Sequence, residues 1–242
     1  RPQGEPSRRD WIAVMSAMLG AFMAVLDIQI TNSSLKDIQG ALSATLEEGS
    51  WISTSYLVAE IIMIPLTAWL VQLFSARRLA VWVSVGFLIA SLLCSLAWSL
   101  ESMIVFRALQ GFTGGALIPL AFTLTLIKLP EHHRAKGMAL FAITATFAPS
   151  IGPTLGGWLT ELFNWRAGYW FLFGFGALTT LALLAWFGET LPASARQHSL
   201  RVGAAYRHVL GNPRFQGNLL CLMATFAGLA VFEAAAGVLL GD

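Results

Sequence analysis

The chain has 242 residues, of which 56% are hydrophobic and only 12% are charged. Average soluble domains carry about 25% charged residues, so a soluble fold of this size could not cover its surface with polar groups. The apolar residues form long runs close to the roughly 20 residues that a helix needs to cross a bilayer. They do not form the short alternating segments of an outer-membrane barrel. The composition therefore excludes a soluble domain and predicts an all-α integral membrane protein.

The N-terminal residues 1–10 are polar and basic, and they precede the first apolar run. That run begins at Trp11 and has no small-residue cleavage pattern, which indicates a retained helix rather than a signal peptide. The two cysteines, Cys94 and Cys221, both fall inside apolar runs, where an unpaired cysteine behaves as a small hydrophobic residue. They indicate neither a disulfide nor a metal site.

Seven apolar runs predict seven membrane-spanning helices. Their predicted bounds are Trp11–Ser33, Ser50–Val71, Leu79–Ser99, Ser102–Ile127, Gly137–Thr160, Gly168–Phe187 and Gln216–Leu240. Twelve lysines and arginines lie in the N-terminus and the even-numbered loops, against two in the odd-numbered loops. The positive-inside rule therefore places the N-terminus in the cytoplasm.

The spans also predict the domain organisation. Residues 1–10 form a cytoplasmic N-terminus, and residues 11–187 form a six-helix bundle. Residues 188–215 form a basic linker, either an amphipathic helix on the cytoplasmic face or a solvated connector. Residues 216–242 hold the seventh helix. This layout is typical of transporters whose two six-helix halves are joined in the middle, so we expect a truncated chain that stops one helix into a second half.

The fifth span concentrates proline and small residues. The members of this motif are Ala148, Pro149, Gly152, Pro153, Gly156 and Gly157. Ala148, Gly152 and Gly156 recur every four residues, so they lie on one helix face and let another backbone approach closely. Each proline removes a backbone hydrogen bond and bends the helix. Taken alone, the pattern is more often that of an ordinary packing helix than that of a functional one.

The fourth span carries an arginine within an otherwise apolar run. Arg107, Gln110, Gly111, Gly114 and Gly115 lie at offsets that place them on a single helix face. An arginine facing lipid would be very costly, so this face must meet protein or water. The pattern favours a functional arginine, and the alternative is a structural arginine held by backbone carbonyls.

Two acidic residues within the spans are candidates for proton binding. Asp27 lies about 24 Å along the first span, and Arg107 comes to a similar depth, about 8 Å from the external end of its own span. The two could pair, and breaking and remaking the pair would load and release a proton. Glu60 lies about 14 Å from either end of the second span, where a carboxylate is a functional candidate for proton or cationic substrate. The alternatives are an Asp27 wetted from outside and a structurally hydrogen-bonded Glu60.

Together these segments resemble drug:proton antiporters of the major facilitator superfamily. The fifth-span run resembles their antiporter motif, and the fourth-span face resembles a motif whose arginine is implicated in proton coupling. The first span resembles their Leu-Asp-x-Thr-x-x-Asn segment through Asp27 and Asn32, with Gln29 at the usual threonine position. The loop after the second span departs from the superfamily pattern. There Gln72 and Ser75 replace an acid and the second glycine, which argues against a charge-relay gate built on that acid.

The resemblance differs along the chain. Residues 11–165 are similar to the EmrB/QacA-type exporters, whereas residues 188–215 look more like the Bcr/CflA-type exporters, which have twelve helices. A twelve-helix and a fourteen-helix parent both remain open.

The resemblance implies proton-coupled multidrug efflux across a bacterial inner membrane, with Asp27, Glu60 and Arg107 as the coupling set. The implied partners are the lipid bilayer, protons, small amphipathic or cationic drugs, and either a missing C-terminal half or a second copy. The alternative is a non-transporting truncated membrane protein or a helix-packing partner.

We do not expect an enzyme, a cofactor, a metal site or a nucleic-acid partner. His132 and His133 are adjacent and lack metal-ligand spacing, and no Walker-type sequence indicates ATP-driven transport.

Overall fold

A computed structural model describes residues 5–186 and, beyond them, residues 211–213, 215–218, 220–221, 223–224 and 228. The predicted linker 188–215 therefore lies almost entirely outside the described residues. So does most of the predicted seventh span, whose described residues between 216 and 224 are helical. The chain divides into two compact units, residues 1–196 and 197–242. All that follows concerns the first unit.

Eight α-helices are the only regular elements in residues 5–186. They are α1 (Arg8–Ser33), α2 (Leu35–Ala41), α3 (Leu46–Phe74), α4 (Ala76–Ser95), α5 (Leu100–Gly114), α6 (Leu117–Lys128), α7 (Glu131–Leu162) and α8 (Arg166–Trp186). Helices α5 and α6 follow each other as one span, so this unit has six helical segments long and apolar enough to cross a membrane. The prediction of an all-α membrane protein is confirmed.

Capping side chains explain where several helices begin. Ser7 accepts a hydrogen bond from the backbone N–H of Asp10, and the Asp10 side chain accepts one from the backbone of Ser7 in return. Thr45 and Glu48 form the same reciprocal box at the start of α3. Such boxes satisfy backbone N–H groups that have no partner inside the helix. They extend α1 and α3 by about one turn beyond the predicted spans.

The fourth span is two helices rather than the one predicted. Helix α5 ends at Gly114 and α6 begins at Leu117, with Gly115 and Ala116 between them in right-handed helical conformation. Pro119 has no N–H to offer the carbonyl of Gly115 four residues earlier, so the hydrogen-bond ladder is interrupted there. Two consecutive glycines weaken the helix further at the same place.

The third span ends earlier than predicted, at Ser95 rather than Ser99. Arg166, at the start of α8, donates from Nε to the carbonyl of Ser95 at 2.9 Å and from Nη2 to that of Ala97 at 3.0 Å. These bonds satisfy carbonyls that would otherwise continue the helix. Ser99 instead caps α5, where its Oγ accepts from the N–H of Ser102. A tertiary contact from a distant arginine thus accompanies the end of this helix.

Helix α1 lies at the centre of the unit and packs against α6, α7 and α8, while α3 packs against α5, and α4 against α5 and α8. In the most apolar stretch of α1, 61% of the residues are buried, whereas in those of α3 and α7 only 22% and 11% are buried. Helices α3 and α7 therefore present most of their surface to the surroundings of the bundle.

Ser75 joins α3 to α4 in a conformation that suits glycine. Its φ is 79° and its ψ is 152°, and its side chain is fully buried. Non-glycine residues in such regions cost roughly 1–3 kcal/mol. Its Oγ partly compensates, because it accepts from the N–H of Arg78 at 3.4 Å as the cap of α4. This is the position at which the superfamily's loop motif has its second glycine.

We expect Ser75→Gly to raise the stability of the protein by about 1 kcal/mol, because glycine removes the strain and costs only a few tenths as a cap. Ser75→Ala should lower stability by about 1 kcal/mol, because it loses the cap and keeps the strain. Thermal unfolding of the purified proteins in one detergent compares them. A glycine variant no more stable than the alanine variant would contradict the strain.

Candidate functional site

A buried ion pair joins α1 to α5. Nη1 of Arg107 donates to Oδ2 of Asp27 at 2.6 Å, and the two side chains are 1% and 0% exposed. The sequence placed both residues at a similar depth, and the structure brings them into direct contact. A buried charge is tolerated when it is paired and hydrogen-bonded, so each of these residues depends on the other for its burial.

Gln110 completes a three-way network one turn along α5. Its Nε2 donates to Oδ1 of Asp27 at 3.0 Å and to Oγ of Ser91 at 2.9 Å. Its Oε1 accepts from Nη1 of Arg107 at 2.7 Å and from the thiol of Cys94 at 3.5 Å. The ion pair is thereby fixed to α4 as well as to α1 and α5. Sequence reasoning singled out Gln110 but missed Ser91, because a serine in an apolar helix gives no signal of its partner.

Helix α3 supplies the remaining contacts of the arginine. Nε of Arg107 donates to the carbonyl of Ile52 at 3.4 Å, and its Cζ lies 4.2 Å from the centre of the Tyr56 ring. Tyr56 is fully buried, and its hydroxyl donates to the carbonyl of Ala24 on α1 at 3.3 Å. The residues alone gave Tyr56 no functional role, although a tyrosine in the middle of an apolar helix needs a polar partner.

Glu60 lies on the same face of α3, one turn after Tyr56, and is only 6% exposed. In residues 5–186 its carboxylate has no hydrogen bond or ion pair, although Asp27 and Arg107 are within electrostatic range. The structure thus places Glu60 close to the ion pair but does not join it to the network. An intramembrane carboxylate of this kind is a candidate for binding a proton or a cation.

The glycines of the fourth-span motif let α5 approach α3 closely. A Cβ added at Gly111 would meet the backbone carbonyl of Tyr56, and one at Gly115 would lie 2.9 Å from Cα of Glu60. At Gly114 an added Cβ would lie 2.8 Å from the Tyr56 hydroxyl. Side chains at these positions would push the two helices apart. The glycines therefore hold Tyr56 and Glu60 next to the ion pair.

The fifth-span motif divides between two faces of α7. Ala148, Gly152 and Gly156 are buried, and α7 packs against α1. Cβ atoms added at the two glycines would meet Gln29, and Ser33 with Ile30, all on α1. The other members behave differently. A Cβ added at Gly157 would have nothing within 4 Å, and Pro149 and Pro153 are exposed, with the helix continuing through both.

The outer end of α1 is bound to three other spans. Oδ1 of Asn32 accepts from the hydroxyl of Ser53 on α3 at 2.8 Å. The neighbouring hydroxyls of Thr31 and Ser34 bond to Tyr169 on α8 and to Thr160 on α7, at 3.2 and 2.8 Å. Asn32 therefore lies within a set of hydroxyl contacts two turns or less beyond Asp27.

The six apolar spans of residues 5–186 and the buried charge network are those of a multi-pass membrane protein. The sequence pattern of the Major Facilitator Superfamily matches residues 17–240, and the chain belongs to this superfamily.

Curated relatives are bacterial export and resistance proteins. The chain is 43% identical over 161 residues to the colistin resistance protein EmrB of Acinetobacter baumannii, an alignment that covers 66% of this chain and 31% of that protein. It is 39% identical over 154 residues to the multidrug export protein EmrB of Escherichia coli K12, covering 64% of this chain and 30% of that one. The fatty acid resistance protein FarB of Neisseria gonorrhoeae is 39% identical over 176 residues, covering 73% and 34%.

Solved structures support the same fold. A bacterial homologue of the human lysosomal transporter Spinster has a TM-score of 0.67 at 16% identity, covering 80% of this chain and 45% of that one. The proton:xylose symporter XylE has a TM-score of 0.66 at 15% identity, covering 76% and 46%.

These comparisons confirm the resemblance to EmrB-type proteins of the superfamily. The chain spans about a third of the length of the curated relatives it matches, from 30% to 34% in the three named above. The six apolar helices of residues 5–186 and the bacterial relatives make it a multi-pass protein of the bacterial inner membrane.

Proposed function

We propose that this chain contributes to a proton-coupled exporter of small amphipathic or cationic drugs, in which Asp27 and Glu60 exchange protons for substrate and Arg107 is the counter-ion of Asp27. The observation that carries the proposal is a fully buried ion pair beside a buried carboxylate that has no partner among the described residues. The names of the relatives, a multidrug export protein and resistance proteins, support the class of activity.

The ion pair provides a contact that depends on a proton. When Asp27 is charged, it binds Arg107 and so ties α1 to α5. When Asp27 takes up a proton, the Coulomb attraction is lost and the arginine keeps only Gln110, the Ile52 carbonyl and the Tyr56 ring. The packing of α1 on α5 therefore differs in strength between the two protonation states, which is what couples a proton to a conformational change.

Glu60 provides the competition that antiport needs. Its carboxylate can be neutralised by a proton or by a bound cation, and either one removes the need for the other. Binding of a proton would therefore release a cationic substrate, and binding of the cation would release a proton. One relative is named for resistance to fatty acids, which are anions at neutral pH, so a test must include both charge types.

We expect cells that make this protein to export ethidium, and Glu60→Gln to reduce the rate by about tenfold or more, the effect of losing roughly 1.4 kcal/mol of substrate or proton binding. An uncoupler of the proton gradient should abolish export. The measurement is dye efflux from energised cells that make the 242-residue chain or any longer product of the same gene. Glu101→Gln is the matched control, because Glu101 is an exposed acid in the first turn of α5.

The same cells are tested with oleate as an anionic probe. Export of oleate but not ethidium would assign the anionic class and contradict the proposed role of Glu60. If neither probe nor a wider panel is exported while the protein is in the membrane, the chain is a non-transporting membrane protein of this superfamily.

A further inference from the structure

Tyr56 contacts Arg107 and lies one turn before Glu60 on α3, and the exchange scheme above gives it no role beyond its contact with Arg107. Its ring lies 4.2 Å from Cζ of Arg107, and its hydroxyl is within electrostatic range of Asp27 and Glu60. It precedes Glu60 by one helical turn, and both side chains are buried on the α3 face that packs against α5. A residue in this place can influence which acid the arginine pairs with.

The ring of Tyr56 is held in place on several sides. Its hydroxyl donates to the carbonyl of Ala24 at 3.3 Å. The α5 backbone approaches it at Gly111 and Gly114, where added Cβ atoms would meet the Tyr56 carbonyl and its hydroxyl. Tyr56 is 0% exposed. The orientation of the ring is thereby fixed by α1 and α5 together.

The guanidinium of Arg107 makes two kinds of contact, hydrogen bonds from its N–H groups and a cation–π contact with an aromatic ring. The N–H groups donate to Asp27, to Gln110 and to the carbonyl of Ile52. The central carbon, Cζ, lies over the ring of Tyr56, 4.2 Å from its centre. An aromatic face attracts a cation most strongly where water is excluded, and it does so without a counter-charge. The contact with the ring therefore persists when Asp27 is neutral.

We propose that Tyr56 is a positioning residue, whose ring holds the guanidinium of Arg107 beside Asp27 and keeps it from turning towards Glu60. This inference rests on the proposed proton exchange. When Asp27 is protonated, the ring retains the arginine next to it, so the pair re-forms as soon as the proton leaves. Without the ring, a buried cation that has lost its counter-ion is free to turn towards Glu60, which lies one turn further along α3 and whose Cα adjoins Gly115 of α5.

Infrared titration of the purified chain in nanodiscs tests this without any transport. The carboxyl bands of Asp27 and Glu60 are assigned with the variants Asp27→Asn and Glu60→Gln. The scan runs between about pH 4 and 8, which is below the ordinary pKa values of the other titratable groups near Arg107, the thiol of Cys94 and the phenol of Tyr169. The midpoints are then compared between variants that keep an aromatic ring and variants that do not.

Tyr56→Phe keeps the ring and loses only the hydroxyl bond to Ala24, so both midpoints should stay within about 0.3 pH units of the parent. Tyr56→Leu removes the ring. We expect the midpoints of Asp27 and Glu60 to move in opposite directions by about one unit each, because the arginine passes from one acid to the other. General loosening of the bundle would move both midpoints the same way.

Unmoved midpoints in the leucine variant, or equal shifts in the leucine and phenylalanine variants, would overturn the inference. If the leucine variant does not fold by circular dichroism, Tyr56→Met replaces it, with Tyr56→Trp as its aromatic counterpart. Opposite shifts in a protein that exports no probe would reject the proposed function and retain this inference. Export by a protein whose Asp27 and Glu60 midpoints do not shift in the leucine variant would retain the proposed function and reject this inference.

Discussion

Replacing Arg107 with methionine should lower the stability of the protein by about 3–5 kcal/mol, because it leaves the carboxylate of Asp27 buried without its partner. Asp27→Asn should have a comparable effect, because it leaves the guanidinium uncompensated. Both side chains are at most 1% exposed, so solvent does not screen the remaining charge. The readout is thermal unfolding of the purified proteins, followed by size-exclusion chromatography after heating.

The double variant Asp27→Asn with Arg107→Met tests whether the ion pair contributes to stability, to export or to both. Removing both charges removes the uncompensated one, so the melting temperature should return most of the way to that of the parent. The double variant should nevertheless export no dye, because it has no proton-dependent contact between α1 and α5. A double variant that is as unstable as the single ones would show that the two residues contribute independently. A stable double variant that still exports dye would remove Asp27 and Arg107 from the coupling scheme.

The second large effect should separate two neighbouring glycines of α7. Gly156→Ala should destabilise the protein by several kcal/mol, because the new Cβ meets Ser33 and comes within 2.9 Å of Cα of Ile30. The backbone of α1 cannot yield as a flexible side chain would. Gly157→Ala should be neutral or slightly stabilising, because nothing lies within 4 Å of its Cβ and alanine favours helix by about 1 kcal/mol.

This pair is its own control, since the two variants change adjacent residues by the same methyl group. Melting temperatures and the yield of monodisperse protein provide the comparison. Equal losses in both variants would mean that both glycines are needed for a reason other than the contact with α1. Equal tolerance would mean that α7 does not pack against α1 as closely as the structure shows.

The bundle and its membrane location could be predicted because they depend on composition and periodicity. Crossing hydrocarbon requires long apolar helices, and their lengths are visible in the sequence. The spacing of Ala148, Gly152 and Gly156 showed that these residues share a face, because helical geometry is local. Residue spacing does not reveal which other helix that face contacts, because the contact joins residues far apart in the sequence. The structure identifies it as α1 and leaves Gly157 outside the contact.

Some residues of the candidate site could likewise be predicted from the sequence, whereas others could be identified only from the packing. Asp27, Glu60 and Arg107 could be found from the sequence because a charged residue within an apolar helix is energetically costly and is therefore a candidate for function. Their similar depth also indicated that Asp27 and Arg107 could pair, but the other partners could not be found in this way. Tyr56 and Ser91 are ordinary residues in a membrane helix until packing places them beside the arginine.

By itself the sequence determined that the chain spans the membrane several times and which residues carry charge within the spans, and it predicts which end faces the cytoplasm. Hydrophobicity, loop charge and helical periodicity are properties of neighbouring residues. Only the tertiary structure decided that Arg107 contacts Asp27 directly while Gln110 binds both, that the ring of Tyr56 lies against the guanidinium, and that Glu60 has no partner among the described residues. These contacts join residues from three different helices, and their distances depend on how closely the glycines let the helices pack.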